Sequence, residues 1–279
     1  MPGLIRLGLF GQPVAASPSP SVHRSFARQF GLEVDYRLIE TAAGGLQRAL
    51  LDFRRQGGEG CNITVPLKGE AWRIAEAASE AAERAQAANT LVRRRGGGWE
   101  AHNTDGVGLV ADLRNGYGVN LSGQRVLVLG AGGAAAGILG NLLRGGAAGV
   151  TLVNRNLGRA RDLAARFAAN GTVRVSAWKD LPAQGGFDLV INATSLGHAG
   201  KAPALGAASF APESLCYDLN YLHAAEPLRQ LCERFGQAYA DGIGMLVEQA
   251  AESFYLWTGK RPDTGPVIPA IRGMLRERE

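Results

Sequence analysis

Lysine is nearly absent from this chain. Of its 30 basic residues only Lys68, Lys179, Lys201 and Lys260 are lysine, and the rest are arginine. Arginine stays protonated in proteins, whereas a partly buried lysine can release its proton, so proton transfer by a cationic amine has few candidates here. Cysteine is equally sparse. Cys61, Cys216 and Cys232 are odd in number and lack metal-ligand spacing, which excludes a disulfide framework and predicts reduced thiols in a cytoplasmic protein. The histidines, His23, His102, His198 and His223, show no ligand spacing either, so no metal is expected. Long apolar runs are missing: nothing approaches the roughly 18 residues of a membrane span. The segment from Met1 to Phe10, interrupted by Arg6, reads as a first strand and not as a signal peptide. Charge is spread thinly at +5 over 279 residues, and Arg93-Arg94-Arg95 is the one dense run, which argues against nucleic acid as a partner. The mild positive balance suits a small anion, such as a carboxylate or a dinucleotide phosphate.

Glycine, in contrast, is abundant at 39 residues, favouring short turns and backbone-lined binding sites. Strand-like and helix-like patterns alternate along the chain, which predicts an α/β fold with mostly parallel strands. Strands are expected at Ile5–Phe10, Val34–Ile39 and Cys61–Val65, with helices at Ser19–Phe30, Gly45–Arg55 and Glu70–Ala85 and a hairpin at Thr90–Arg94 and Gly98–His102. From Arg125 the texture changes to a βα array of the doubly wound, Rossmann kind. Its strands are Arg125–Gly130, Gly149–Asn154, Val173–Ala177, Phe187–Ala193 and Leu215–Leu219. Two further helices, Gly244–Thr258 and Val267–Arg278, carry apolar faces and are expected to pack back onto the first domain. The expected domains are therefore 1–104 plus 241–279, and 105–240.

Gly130-Ala131-Gly132-Gly133-Ala134 stands between a buried strand and a helix start, where glycines let the backbone approach a pyrophosphate facing a helix N-terminus. The spacing departs from strict G-x-G-x-x-G, and a plain tight turn is the alternative. The next strand ends in Asn154-Arg155-Asn156, with Arg159 one turn on, where an NAD enzyme places an acid for the ribose. Arginine there favours the extra phosphate of NADP, unless Arg155 is a solvated cap. Asn192-Ala193-Thr194-Ser195 follows another buried strand and would line the nicotinamide side, or form a simple polar turn. In the first third, Ser17 and Ser19 can offer hydroxyls to an anionic or polyhydroxylated ligand, or cap a helix. Lys68 closes the turn Asn62-Ile63-Thr64-Val65-Pro66-Leu67, and Asn103-Thr104-Asp105 can supply it with a carboxylate.

In order along the chain, these segments resemble the shikimate dehydrogenase family. They are Ser17-x-Ser19-Pro20-x-x-His23, Asn62-x-Thr64-Val65-Pro66-x-Lys68, Asn89-Thr90, Asn103-Thr104-Asp105-Gly106, the glycine loop, Asn154-Arg155, Asn192-Ala-Thr-Ser195, and Asp241-Gly242-x-Gly244-Met245-Leu246-x-x-Gln249-Ala250. The resemblance implies an N-terminal substrate domain, an NADP-binding Rossmann domain, and reversible reduction of 3-dehydroshikimate to shikimate on the route to chorismate and the aromatic amino acids. It implies Lys68 and Asp105 as the catalytic pair. Ser17, Ser19, Thr64, Asn89, Tyr221 and Gln249, with Asn62 close by, would hold the substrate's carboxylate and hydroxyls. Gly130 to Ala134, Asn154 to Arg159, Thr194, Ser195, Leu219, Gly242 and Met245 would contact NADP, with Glu80 at a weaker cofactor-side position.

The chemistry of the residues agrees. Ketone reduction needs a hydride donor on one face and an acid for the oxygen as it becomes an alkoxide. Lys68 can be that acid, and Asp105 can orient it. The chain departs from the family at Ala16, where a histidine commonly stands, and at Asn156, in place of a threonine. The first leaves open a quinate/shikimate or aminoshikimate-type paralogue, whereas Asn156 can still donate a hydrogen bond to a 2′-phosphate. In another class stands an inactive nucleotide sensor, against which the presence of both Lys68 and Asp105 argues. The expected partner is a small-molecule substrate, with no membrane, and the chain a monomer or homodimer.

Overall fold

The chain opens with β1 (Ile5–Gly11), α1 (Ser19–Gln29), β2 (Val34–Glu40), α2 (Leu46–Arg55) and β3 (Gly58–Ile63). It continues through α3 (Lys68–Ile74), β4 (Ala77–Ala78), α4 (Glu80–Ala85), the hairpin β5 (Thr90–Arg93) and β6 (Trp99–His102), and α5 (Asp105–Tyr117). In the computed structural model, which describes residues 3–277, these strands form one sheet in the order β2-β1-β3-β5-β6-β4. β1 runs parallel to β2 and β3, whereas β5 is antiparallel to both β3 and β6. Side-chain alternation along β1 fills both faces of this sheet. Leu7 and Leu9 pack with Val14 and Tyr36 on one face. Phe10 packs on the other with Leu46, Leu50 and Phe53 of α2.

The second sheet is built from β7 (Arg125–Leu129), α6 (Gly133–Arg144), β8 (Gly149–Val153), α7 (Leu157–Phe167), β9 (Val173–Ser176), β10 (Phe187–Asn192), β11 (Phe210–Asp218), α8 (Glu226–Arg234) and β12 (Ala238–Ala240). All its strands are parallel, in the order β12-β11-β10-β7-β8-β9. The chain winds outward from β7 to β9 and then returns to the other side at β10. The strand ends of β7 and β10 therefore flank a topological switch point, the usual ligand position in such a sheet. Val126 to Leu129 and Leu189 to Ile191 are wholly buried, as a doubly covered sheet requires.

α9 (Ile243–Thr258) and α10 (Val267–Arg276) complete the chain. By compactness one unit runs to Gly108 and resumes at Leu246, and the other is Leu109–Met245. The divisions fall inside α5 and α9. Within the first unit α10 packs on α1, and Trp257 of α9 donates its indole N–H to the Leu91 carbonyl at 3.0 Å. Gly60 permits that contact: a Cβ there would lie 2.3 Å from the Trp257 ring.

Two local expectations are corrected. The helix expected over Glu70–Ala85 is broken at Ala75, whose backbone is extended. β4 then pairs with β6, and Ser79 starts a new helix by accepting a hydrogen bond from the Ala82 N–H. The strand expected to reach Val65 ends at Ile63, because Thr64 opens a turn whose carbonyl accepts from Leu67 N–H at 2.9 Å.

Candidate active site

In the first unit, the turn after β3 is stitched to the end of β1. Thr64 N–H donates to the Phe10 carbonyl and Gln12 N–H to the Val65 carbonyl, each at 2.9 Å. This fixes the start of α3, whose first residue is Lys68. The Lys68 ammonium lies 2.5 Å from Oδ2 of Asp105, the first residue of α5. Their side chains are 19 % and 6 % exposed, so the pair is largely shielded from water but the amine is not sealed off. The other carboxylate oxygen, Oδ1, accepts from Asn89 Nδ2 at 2.7 Å. Asn89 also donates to Thr104 Oγ1 at 2.9 Å and Gln249 Oε1 at 3.1 Å, and its own Oδ1 accepts from Thr104 N–H at 2.8 Å. Asp105 is thus gripped on both oxygens, one by the lysine and one by an amide.

Behind Asn89 stands Asn62. Its Nδ2 donates to the Asn89 carbonyl and Thr90 Oγ1, both at 3.2 Å, and to Ser253 Oγ at 3.0 Å. Its Oδ1 accepts from the Tyr36 hydroxyl at 2.8 Å and faces His23 Nε2 at 3.2 Å. His23 is fully buried, stacked on Tyr36 and flanked by Phe26, Phe254 and Trp257. Burial pushes its pKa down to about 3, so at neutral pH the ring carries one proton. The Asn62 carbonyl oxygen puts that proton on Nε2. Asn62 therefore cannot flip, and it acts as a strut beneath Asn89. Ser19 hydrogen-bonds Tyr36, and Ser17 Oγ donates to Ser19 Oγ at 3.0 Å.

One polar network thus joins Ser17, Ser19, Asn62, Asn89, Gln249, Asp105 and Lys68. Thr64 is half-buried on the adjoining turn. Four connecting residues were not singled out from the sequence: Tyr36, Thr90, Thr104 and Ser253. Three had a signal: Thr90 in the Asn89-Thr90 motif, Thr104 inside the Asn103-Thr104-Asp105 run, and Ser253 one helical turn after Gln249. Glu80 is not part of this network; it lies at the start of α4, largely exposed, in an ion pair with Arg84 at 2.5 Å. His102 pairs with Glu100 at 3.2 Å, in keeping with a structural role. Tyr221 belongs to the second unit.

The second unit carries the glycine loop. Gly130 follows β7 with φ +106°, a left-handed conformation that glycine adopts freely, and its N–H donates to the Val153 carbonyl at 2.7 Å. Ala131 is buried beneath the loop. α6 starts after Gly132 with no side chain capping it, and a Cβ at Gly132 would meet nothing within 4 Å. The first amides of α6, around Gly133 and Ala134, are thus donors without helical partners, and they suit a phosphate. At the end of β8, Asn154 Nδ2 donates to the Asn156 carbonyl at 2.8 Å, and Asn156 Oδ1 caps α7 by accepting from Arg159 N–H at 3.1 Å. Arg155 and Arg159 are exposed, and neither guanidinium has a hydrogen-bond or ion-pair partner among the described residues. Uncapped amides, two unpaired guanidinium groups and no acid at the end of β8 fit a dinucleotide with a 2′-phosphate.

Thr194 and Ser195 follow β10. Thr194 N–H and Oγ1 both donate to Asn192 Oδ1, at 3.1 and 2.7 Å, and Ser195 is exposed. Leu219 N–H donates to the Asn192 carbonyl at 3.0 Å. Gly242 N–H donates to the Asn220 carbonyl at 2.9 Å. Met245 N–H reaches the Tyr217 hydroxyl at 3.3 Å, which in turn donates to Asp112 Oδ2 at 2.6 Å. No described helix is long and apolar enough to cross a membrane.

Three stretches of the chain match known families. Residues 9–91 match the shikimate dehydrogenase substrate binding domain. Residues 112–199 match the shikimate/quinate 5-dehydrogenase family, and 242–272 the shikimate 5′-dehydrogenase C-terminal domain. A shikimate dehydrogenase (NADP(+)) of Bordetella petrii is 46 % identical, over 98 % of this chain and 96 % of its own. Among solved structures, an Ael1 enzyme from Pseudomonas putida superposes with a TM-score of 0.89 at 38 % identity, covering 96 % of this chain and 98 % of its own. Shikimate 5-dehydrogenase of Thermus thermophilus, in complex with NADP(H) and shikimate, does so with a TM-score of 0.84 at 32 % identity, covering 96 % of this chain and 99 % of its own.

Proposed function

The chain belongs to the shikimate dehydrogenase family, and on that premise we propose that it interconverts 3-dehydroshikimate and shikimate with NADP, using Lys68 and Asp105 as the acid–base pair. The observation that carries this reading is the 2.5 Å contact between Lys68 Nζ and Asp105 Oδ2 at the end of the Ser17-to-Gln249 network. The first unit would hold the substrate: Ser17 and Ser19 offer hydroxyls to its carboxylate, and Thr64, Asn89 and Gln249 offer donors and acceptors to its hydroxyls. The second unit would hold the cofactor through Gly130 to Ala134, Arg155 and Arg159. NADPH held there would provide the hydride for the carbonyl carbon. As that carbon is reduced, Lys68 Nζ gives a proton to the carbonyl oxygen, and in the oxidative direction the amine takes it back. Asp105 holds Nζ in place, and Asn89 holds Asp105, so the acid is oriented before the substrate arrives. This is the step that serves aromatic amino acid biosynthesis.

The test is initial-rate kinetics with shikimate and quinate, each with NADP and NAD. The reading expects the highest kcat/KM for shikimate with NADP. Lys68→Ala should then lower turnover by roughly 10²–10⁴-fold with little change in substrate binding. Near-normal turnover in that variant would remove Lys68 from the mechanism, and an inactive parent chain that still bound NADP would favour a nucleotide sensor.

A further inference from the structure

Asp218 is the last residue of β11 and has no exposed surface. It takes no part in the proton or hydride steps above, and the sequence pattern shows it only as one residue inside a strand. A buried carboxylate is expensive unless its neighbours compensate it. Here the compensation is concentrated on one atom. Oδ1 accepts from Asn192 Nδ2 at 3.0 Å, Asn220 N–H at 2.9 Å and Asn220 Nδ2 at 2.8 Å. Oδ2 is buried and has no partner among the described residues.

The ionisable groups facing Asp218 are Asp241 before α9, Cys216 on β11, Cys232 on α8 and Tyr239 on β12. These are an acid, two thiols and a phenol, so none offers positive charge. Burial accordingly pushes the Asp218 carboxyl up to about 7, even against its amide donors. Such a costly group at the end of a central strand calls for a role beyond packing.

Its partners supply that role. Asn192, held by Asp218 through Nδ2, uses its Oδ1 to fix Thr194 N–H and Oγ1 at 3.1 and 2.7 Å. Asn220, held through both its nitrogens, donates from Nδ2 to the Thr194 carbonyl at 3.0 Å and accepts from Gly242 N–H at its own carbonyl at 2.9 Å. One oxygen thereby ties together the segments after β10, β11 and β12. These segments carry Thr194, Leu219 and Gly242, all assigned to the cofactor. The geometry points to Asp218 as a positioning residue that shapes the cofactor-side loops through Asn192 and Asn220, a role that rests on the reading of this unit as the NADP-binding one. A carboxylate suits the task better than an amide. Three donors converge on one oxygen, and a carboxylate's charge strengthens each of those bonds where a neutral amide oxygen does not.

The test is calorimetric binding of NADP to the full chain, with kcat and the KM for shikimate measured at saturating NADP. Asp218→Ala should raise the NADP dissociation constant by about tenfold or more, the equivalent of one or two lost hydrogen bonds. Asp218→Asn, which keeps a single acceptor, should raise it by only about threefold. The KM for shikimate should hold within about twofold in both, because ordinary stability loss does not select one ligand. Asn220→Ala should weaken NADP binding on its own and add little in the Asp218→Asn background, since both act through one unit. This pair keeps the test open if Asp218→Ala does not fold. Unchanged NADP affinity in Asp218→Ala or Asn220→Ala overturns the proposal, as does equal weakening of both ligands. Failure of the parent chain to bind NADP would instead overturn the cofactor reading, and this role with it, before any variant is compared.

Discussion

Replacing Lys68 by Met is the sharpest test of how the candidate acid is held. Met keeps most of the aliphatic stem and removes only the charge and its donor. Asp105 would then retain Asn89 on Oδ1 and lose its partner on Oδ2, leaving a carboxylate only 6 % exposed without a counter-ion. Breaking one side of a buried pair costs about 3–5 kcal/mol. The lysine side chain is itself 19 % exposed, and water can reach part of the gap, which puts the expected loss near the lower end, about 3 kcal/mol. Adding Asp105→Asn removes the stranded charge while keeping an acceptor for the amide network. The double variant should therefore be the more stable of the two, by about 1–2 kcal/mol, although it gains no contact. Urea unfolding followed by tryptophan fluorescence suits the measurement, because Trp72, Trp99 and Trp257 all lie in the unit that holds the pair. A single variant as stable as the parent, or a double variant no more stable than the single one, would refute the view of Asp105 as a buried anion held by Lys68.

Arg155→Ala should raise the KM for NADP by about tenfold more than the KM for NAD, since an exposed, unpaired guanidinium has only the 2′-phosphate to discriminate; equal effects on the two cofactors would remove that role. His23 predicts an acid limb in stability. Its pKa falls from 6.5 to about 3 on folding, so above pH 6.5 its neutral ring costs nothing, and below it the unfolded chain takes up a proton that the native chain refuses. Stability is therefore lost as pH drops from 6.5 towards 3, by about 3 kcal/mol between pH 7 and 4.5. His23→Phe should abolish that share of the slope in urea titrations at the two pH values, and identical slopes in variant and parent would contradict it.

The parts of the fold that follow from residue type were legible in the sequence, and those that follow from register were not. Arg125-Val-Leu-Val-Leu announces a doubly buried strand by composition alone, and β7 is that strand. Nothing comparable marks Ala75, where a run of good helix formers breaks because β4 finds a partner in β6 about 20 residues further on. The site divides the same way. Lys68, Asp105 and the glycine loop are nominated by residue type and spacing, and Asn89 by the family resemblance. Tyr36 and Asp218 acquire theirs from what the sheets set beside them. The β3–β5 register places Asn62 across from Thr90, and the β10–β11 register places Asn192 beside Asp218. In both units, therefore, a buried asparagine near a strand end is turned by a neighbouring strand, and it fixes the residue that would face a ligand. In the first unit a tyrosine and a neutral histidine orient the asparagine; in the second a carboxylate does. The two solutions differ in acid–base character. A neutral clamp holds its geometry across the working pH range, whereas the carboxylate clamp titrates near 7. Cofactor binding should accordingly respond to pH around neutrality through Asp218, while the network beneath Lys68 and Asp105 keeps its shape until His23 is forced to protonate.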